Sequence, residues 1–245
     1  ELANPAGFGP RDPALQLLHQ LFVAGTRARP QGFNVDTHLL NAKIALNDDW
    51  SVTPYYYHID NKDVAAFSTA TAGVRLSGNI VAGEGKIVLL AEFATQSDIA
   101  NNPVSYDADY GHLNGMWTLE NGLSLGLAYE TLGGGTAPGM MFRTPLATLH
   151  AFQGWADMFL TTPTAGIDDV FATVKYKVGG WNLTGVYHDF SSEVGSADYG
   201  TEFDLSAGTK ISKNYGVLFK GAFFSSDSVS YPDTNKFWIM FTANY

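Results

Sequence analysis

The amino-acid sequence predicts an all-β protein, a transmembrane antiparallel up-and-down β-barrel of about 12 strands. Three observations support this prediction. Apolar and polar residues alternate in many segments of about ten residues, turns between these segments are alternately short and long, and aromatic residues cluster near the short turns. Alternation with period two gives each strand one apolar face and one polar face, which suits a wall between lipid and water.

The composition agrees with such a wall. Charged residues make up only 16% of the 245 residues, against about 25% in a typical soluble protein, while the chain holds 26 Gly, 12 Tyr and 16 Phe. No run of about 18 apolar residues exists, so no transmembrane helix is expected. The absence of cysteine excludes disulfides and thiol chemistry, and the net charge of −10 argues against nucleic acid as a partner.

The chain begins with residues 1–18, which contain three prolines and no alternation and are predicted to be a loop or tail. No signal peptide is visible, so we expect Glu1 to follow a processing boundary. The barrel is expected over 19–245, as a complete barrel or as the C-terminal portion of a larger one. The predicted strands are 19–28, 35–46, 51–59, 68–81, 86–96, 106–119, 123–132, 169–178, 181–190, 201–212, 215–225 and 236–245. Two are weak, 19–28 and the segment containing Pro54, which removes a hydrogen-bond donor from the sheet.

The last strand shows the pattern most clearly. In KFWIMFTANY (236–245), Phe237, Ile239 and Phe241 occupy one face, and ten such residues cross a bilayer as a tilted strand. An apolar strand left unpaired would aggregate, whereas a strand that closes a barrel has no free edge. The chain stops on Tyr245, which resembles the C-terminal signal by which the barrel-assembly machinery recognises outer-membrane proteins.

The connections favour a membrane barrel over a β-sandwich. Short turns rich in Gly, Asn and Asp are predicted at 47–50, 82–85, 120–122, 179–180 and 213–214, and longer links at 60–67, 97–105, 133–168, 191–200 and 226–235. Outer-membrane barrels have short periplasmic turns and longer external loops, so Tyr245 is predicted on the periplasmic side. Five aromatic residues lie near the short turns or the terminus and are expected to form an interfacial belt: Trp50, Trp117, Trp181, Tyr215 and Tyr245. The alternative is that they are scattered core residues.

Several stretches resemble the alginate-export family of outer-membrane β-barrels, in its uncharacterised porin-like branch. The resemblance covers about residues 35–245 and is fairly specific from residue 146 onward, in 146–171, 186–207 and 236–245, with similar shorter stretches at 37–44, 89–98 and 106–111. It implies a channel, although family members usually have about 16–18 strands, so this chain is either shortened or lacks an N-terminal part. Arg occurs only five times in the chain, too sparsely for the dense cluster that a polyuronate channel needs.

Period two assigns a set of charged residues to the face that lines the pore. These are Lys43, Arg75, Lys86, Glu92, Glu130, Lys175, Lys177, Glu202, Asp204, Lys210 and Lys220. Seven bases minus four acids give the wall a charge of +3, while most other acids are assigned to turns and loops. Because selectivity follows the charges that line a pore, this predicts a lumen that tolerates or mildly prefers anions; the alternative is a solvated lumen without selectivity.

The long link 133–168 is too apolar for a solvated loop and is the candidate constriction. Folding into the barrel would bring five of its polar and aromatic residues to the pathway: Arg143, His150, Gln153, Trp155 and Asp157. The alternative is a loop that caps the rim or covers a neighbouring protomer.

Catalytic and metal sites are not expected. His188 with Asp189, and His112 with Asp107 and Asp109, are possible acid–base groups, but no G-x-S-x-G motif occurs. The acidic stretch 60–63 includes a lysine, which disfavours calcium. We therefore predict no enzyme, no cofactor and no metal.

The sequence thus predicts an outer-membrane porin-like channel for passive or facilitated diffusion of small hydrophilic solutes, including anions. The alternatives are a plugged structural barrel, an alginate-like polysaccharide exporter and a soluble lipocalin-like binder. Twelve strands are more than a lipocalin barrel contains. The expected partners are outer-membrane lipid and lipopolysaccharide, small solutes and the barrel-assembly machinery. The oligomeric state stays open.

Overall fold

The computed structural model describes residues 34–145, 147, 150 and 152–244. The predicted tail at 1–18, the predicted strand at 19–28 and Tyr245 lie outside the described residues. Among the described residues, no helix has the length and apolarity to cross a bilayer.

Twelve antiparallel strands form one continuous sheet, which confirms the predicted fold class. They are β1 (Val35–Asn41), β2 (Ile44–Ala45), β3 (Trp50–Asn61), β4 (Thr69–Val81), β5 (Gly85–Asp98), β6 (Asp107–Leu119), β7 (Leu123–Leu132), β8 (Ile167–Val178), β9 (Trp181–Ser191), β10 (Asp198–Lys210), β11 (Tyr215–Ser226) and β12 (Thr234–Ala243). Each main strand pairs with the next along the chain from β3 to β12, and β1 and β2 both pair with β3. Within the described part of the chain, β1 and β12 are the two ends of this path and no pairing joins them.

The predicted strand 35–46 is interrupted, which corrects one assignment. It forms two strands, β1 and β2, and the break at Ala42 and Lys43 lies across from Pro54. The carbonyl of Pro54 accepts a hydrogen bond from Ala42 at 3.2 Å, but its nitrogen carries no hydrogen to return one. Lys43 therefore lies exposed in the break. The prediction that it belongs to a regular strand on the lumen face is wrong.

The two faces of the sheet differ in the way that the alternation predicts. On one face, apolar side chains of the strands are exposed, including Leu127 at 65%, Phe237 at 71% and Phe241 at 78%. The other face carries buried polar residues such as Thr71, Glu92 and Glu130. Because one cavity is lined by residues from β3 through β12, the sheet curves around its polar face.

The connections alternate between short and long as predicted. The β8–β9 turn is two residues long, Gly179 and Gly180, both with positive φ (+55° and +82°), as a tight type I′ hairpin requires. The longest connection is the β7–β8 loop, residues 133–166. Four described belt residues lie at strand ends beside short turns and on the outward face: Trp50, Trp117, Trp181 and Tyr215.

Candidate functional site

The concave face encloses a cavity of about 650 Å³. Side chains from the strands form its wall, and the β7–β8 loop lies against them. Five of the predicted pore-lining residues border this cavity, together with four of the predicted loop residues: Arg75, Glu92, Glu130, Lys175, Lys220, Arg143, His150, Gln153 and Trp155. The role of the loop as a constriction stays a prediction.

Apart from Lys43, which lies in the break between β1 and β2, the other predicted lining residues fall into two groups. Glu202 and Asp204 are 1% and 0% exposed, because the loop covers them. Three lysines are exposed near short turns and are separate from the cavity: Lys86 in β5, Lys177 in β8 and Lys210 in β10.

The predicted pore-lining set omits six inward residues that belong to this site. They are Tyr55, Tyr110, His112, Asp169, His188 and Lys236. The signal for Asp169 was present, since it shares its parity in β8 with Thr173 and Lys175, but it stood at the first position of a predicted strand. Lys236 likewise stands at the first position of the last predicted strand, and a prediction based on charge does not extend to tyrosine and histidine side chains.

One buried ion pair links three neighbouring strands at the wall. The Arg75 guanidinium on β4 binds Glu92 on β5 through Nε at 2.7 Å and Nη2 at 2.6 Å. The Tyr55 hydroxyl on β3 donates to the second Glu92 oxygen at 2.8 Å. Buried charges persist only when paired and hydrogen-bonded, so these contacts allow Glu92 and Arg75 to face the lumen at 6% and 5% exposure.

The first half of the loop is fixed by Gln96 of β5. The Gln96 side chain donates to the Arg143 carbonyl at 2.9 Å and accepts from the Arg143 amide at 2.7 Å, so it imitates the paired bonds of a β-ladder. The Tyr106 hydroxyl also donates to Gln96, at 2.9 Å. Burial raises the pKa of Tyr106 to about 12, so this hydroxyl remains a donor at physiological pH.

The second half of the loop is bound by acidic wall residues. The amides of Trp155 and Ala156 donate to Glu202 Oε1 at 2.5 and 2.7 Å, and the Trp155 amide also reaches Asp204 Oδ2 at 3.1 Å. The Gln153 side chain donates to Glu130 at 2.8 Å. These contacts place loop backbone directly against the lumen wall.

A chain of ionisable side chains joins the loop to β11 and β12. His150 contacts Asp157 at 2.5 Å and Lys220 at 3.0 Å, and Lys236 donates to Asp157 at 2.8 Å. Burial acts to raise the pKa of Asp157, but the bonds from Lys236 and His150 outweigh it and the net pKa is lowered. This contact is therefore present above the ordinary pKa of an aspartate and is lost only as the pH falls through the lowered value.

Lys220 occupies an aromatic setting. Its Nζ lies 4.0 Å from the centre of the Trp155 ring and 5.1 Å from that of Trp238. A cation over aromatic faces gains about 0.5–2 kcal/mol. The arrangement holds one positive charge between a loop residue and a wall residue, beside the cavity.

The formal charge of the lumen changes once the residues beside the cavity are counted separately from the exposed lysines near the short turns. On the inward face of the strands that border the cavity or contact the loop, four bases (Arg75, Lys175, Lys220 and Lys236) stand against five acids (Glu92, Glu130, Asp169, Glu202 and Asp204), which gives a formal −1 instead of the predicted +3. The predicted excess came mainly from the exposed lysines near the short turns. Several acids assigned to loops in fact lie in strands, among them Asp60, Asp98, Asp189 and Asp198.

The considered catalytic pairs do not form. His188 contacts Asp169 at 2.9 Å, whereas its neighbour Asp189 lies on the opposite face of β9. His112 likewise faces inward on β6, opposite in parity to Asp107 and Asp109.

The acidic stretch 60–63 forms a local turn. The Asn61 side chain accepts from the amides of Asp63 and Val64, and Lys62 pairs with Asp60 and Asp36. No group of three or more metal-binding side chains occurs in the part of the chain that the structure describes.

Comparison with known proteins places the fold. No protein-family model matches the sequence, and no curated protein matches it either. Among solved structures, the chain is similar to Pseudomonas aeruginosa OccK5 (OpdH), with a TM-score of 0.62 and 15% identity over 85% of this chain and 58% of that one. It is also similar to P. aeruginosa OccK10 (OpdN), with a TM-score of 0.65 and 12% identity over 89% and 65% of the two chains.

A third similar structure is P. aeruginosa OpdK with vanillate, with a TM-score of 0.64 and 11% identity over 87% of this chain and 59% of that one. These neighbours are outer-membrane porins, transport channels and not enzymes. The chain spans about 58% of the length of the first of them. The porin-like part of the predicted resemblance is thus confirmed as a fold, while the alginate-export assignment stays a prediction: the chain has the fold of outer-membrane β-barrel porins.

Proposed function

We propose that this chain forms the wall of a channel in the bacterial outer membrane, through which small hydrophilic solutes diffuse. The observation that carries the proposal is the contrast between the two faces: a polar cavity of about 650 Å³ on one and exposed apolar side chains on the other. A soluble protein avoids so large an apolar surface, whereas lipid requires it. The β7–β8 loop, which enters the cavity, is the proposed constriction.

Small anions are the proposed solutes. Arg75, Lys175 and Lys220 line the cavity, and Lys220 is flanked by aromatic rings. One structural neighbour was crystallised with vanillate, an aromatic carboxylate. Such a ligand combines a ring that packs on aromatic residues with a charge that binds a cation, which supports the same chemistry here. The loop covers Glu202 and Asp204, so three acids (Glu92, Glu130 and Asp169) border the cavity beside four bases (Arg75, Arg143, Lys175 and Lys220), which supports only a weak preference.

Planar-bilayer recording tests the proposal. Purified protein is expected to produce discrete current steps, and the reversal potential in a salt gradient is expected to indicate a weak anion preference. A barrel that inserts without current contradicts the channel, and a clear cation preference contradicts the solute class. Protein unfolded before it is added to the bilayer provides the control for detergent artefacts.

Two alternatives have specific support. The dense contacts between loop and wall favour a plugged barrel, which predicts insertion without current. The sequence resemblance favours an alginate-like exporter, although only Arg75 and Arg143 lie among the described residues as arginines. A polyuronate oligomer that blocks the current at low concentration, when monomeric uronate does not, supports export over small-solute diffusion. The predicted contacts with lipopolysaccharide, with the barrel-assembly machinery through β12 and between protomers remain part of this proposal.

A further inference from the structure

We propose that Glu202 and Asp204 share one proton, and that this proton holds the β7–β8 loop in the lumen. Loss of the proton releases the loop. The consequence for current rests on the proposed channel function, whereas the latch itself depends only on contacts between the loop and β10.

The two carboxyl groups converge on one amide. Trp155 N donates to Glu202 Oε1 at 2.5 Å and to Asp204 Oδ2 at 3.1 Å, and Ala156 N adds a second bond to Glu202 at 2.7 Å. The two acids are i and i+2 on β10 and therefore share its inward face. At 1% and 0% exposure, neither is solvated.

One oxygen of each carboxyl group lacks a hydrogen-bond donor. Glu202 Oε2 and Asp204 Oδ1 are buried and have no hydrogen-bond partner. Two ionised carboxylates only accept hydrogen bonds, so a fully charged pair leaves both oxygens unsatisfied and adds like-charge repulsion. The two groups lie close together, because an oxygen of each contacts the same Trp155 nitrogen. One proton shared between them turns this repulsion into a hydrogen bond.

The neighbouring charges do not replace that proton. On β9, His188 Nε2 lies 3.8 Å from Asp204 Oδ2, too far for a hydrogen bond, while Nδ1 is bound to Asp169 of β8 at 2.9 Å. On β11, Lys220 contacts His150 and the Trp155 ring. The loop itself contributes Asp157, which binds Lys236 of β12. β9, β11 and the loop thus each carry an ionisable group in this region, and each of these groups is bound to another partner.

The loop backbone seals the pair from water. A Cβ at Gly154 would lie 2.5 Å from Glu202 Oε2, so the backbone of the loop touches the carboxyl group directly. When the loop leaves, water solvates both carboxylates and the shared proton is no longer needed. The docked state therefore binds one more proton than the released state, and rising pH shifts the equilibrium toward release by up to tenfold per pH unit.

The test uses the absence of cysteine from the sequence. Thr162, in the loop and 7% exposed, is replaced by cysteine as a reporter, and exposed Ser230 is replaced in a second protein as a reference. Dividing the thiol-modification rate at 162 by that at 230 removes the intrinsic pH dependence of the thiol. From pH 6 to pH 10, we expect this ratio to rise at least tenfold.

Variants locate the proton. Glu202→Gln keeps an amide hydrogen between the two groups at every pH, so the ratio is expected to stay low and flat; Asp204→Asn is expected to do the same. The proposal is overturned if the unmodified pair shows no rise, or if both variants keep the full rise. A rise that disappears only in His188→Gln also overturns it, since the switch is then His188.

Bilayer recording separates this inference from the proposed function. If the channel conducts, its current is expected to increase at alkaline pH in the native chain and to stay constant in Glu202→Gln. If the protein never conducts but the cysteine ratio rises as expected, the latch stands and the channel function fails.

Discussion

At the scale of single residues, Gly154 shows how one backbone position determines the contact between loop and wall. Its φ of +80° is favourable for glycine and unfavourable for other residues, and its missing side chain leaves space for Glu202. Gly195, in the β9–β10 loop, has a similar φ of +93°, but a side-chain carbon added there would meet no heavy atom within 4 Å. The two glycines therefore separate backbone strain from steric contact.

We predict that Gly154→Ala loosens the loop more than Gly195→Ala does. Both changes introduce strain of about 1–3 kcal/mol, but only the first pushes a methyl group into Glu202. Protease cleavage within residues 133–166 is expected to be at least about tenfold faster in Gly154→Ala than in Gly195→Ala, which corresponds to a difference of about 1.4 kcal/mol in the free energy of loop opening. Equal cleavage rates in the two variants contradict this account of the contact.

At the scale of elements, alternation predicted the strands because successive side chains of a strand point to opposite faces of the sheet, and here one face is apolar and the other polar. Glu202 and Asp204 were assigned to the inward face in this way. The break near Lys43 was not predicted, although Pro54 was recognised as a missing donor, because its effect falls on the partner strand. The position of the loop against the wall could not be predicted either. Its hydrogen bonds to Glu202 come from the backbone amides of Trp155 and Ala156, and nearly every residue type has such an amide.

The outward face of the strands yields a prediction that a soluble sheet does not share. Leu127, in the middle of β7, and Ile211, in the turn after β10, are both 65% exposed. We predict that Leu127→Arg destabilises the protein in lipid vesicles, lowering its free energy of unfolding by about 2–4 kcal/mol. Ile211→Arg is expected to lower it by about 0–1 kcal/mol, because the cost of a charge depends on its depth in the bilayer. Urea titration of refolding measures both values, and equal, small losses contradict a lipid-facing β7.

At the scale of the whole molecule, a net charge of −10 coexists with lysines on the face that lines the lumen. The exposed lysines (Lys86, Lys177 and Lys210) lie near the short turns, whereas Lys220 lies deeper, between Trp155 and Trp238. Salt screens exposed charges over about 10 Å at 0.1 M and 3 Å at 1 M, but screens partly buried charges much less. The two sets should therefore contribute to selectivity under different conditions.

We predict that replacing the three exposed lysines by Gln shifts the reversal potential toward cations near 0.1 M salt and hardly at all near 1 M. Lys220→Gln is expected to shift it at both concentrations, because its charge borders the cavity itself. Lys213→Gln, which removes a charge from the turn after β10, is the control and should have little effect. Reversal potentials in matched salt gradients measure all three variants. Equal salt dependence for the triple variant and Lys220→Gln would mean that the rim and the lumen act as one electrostatic site.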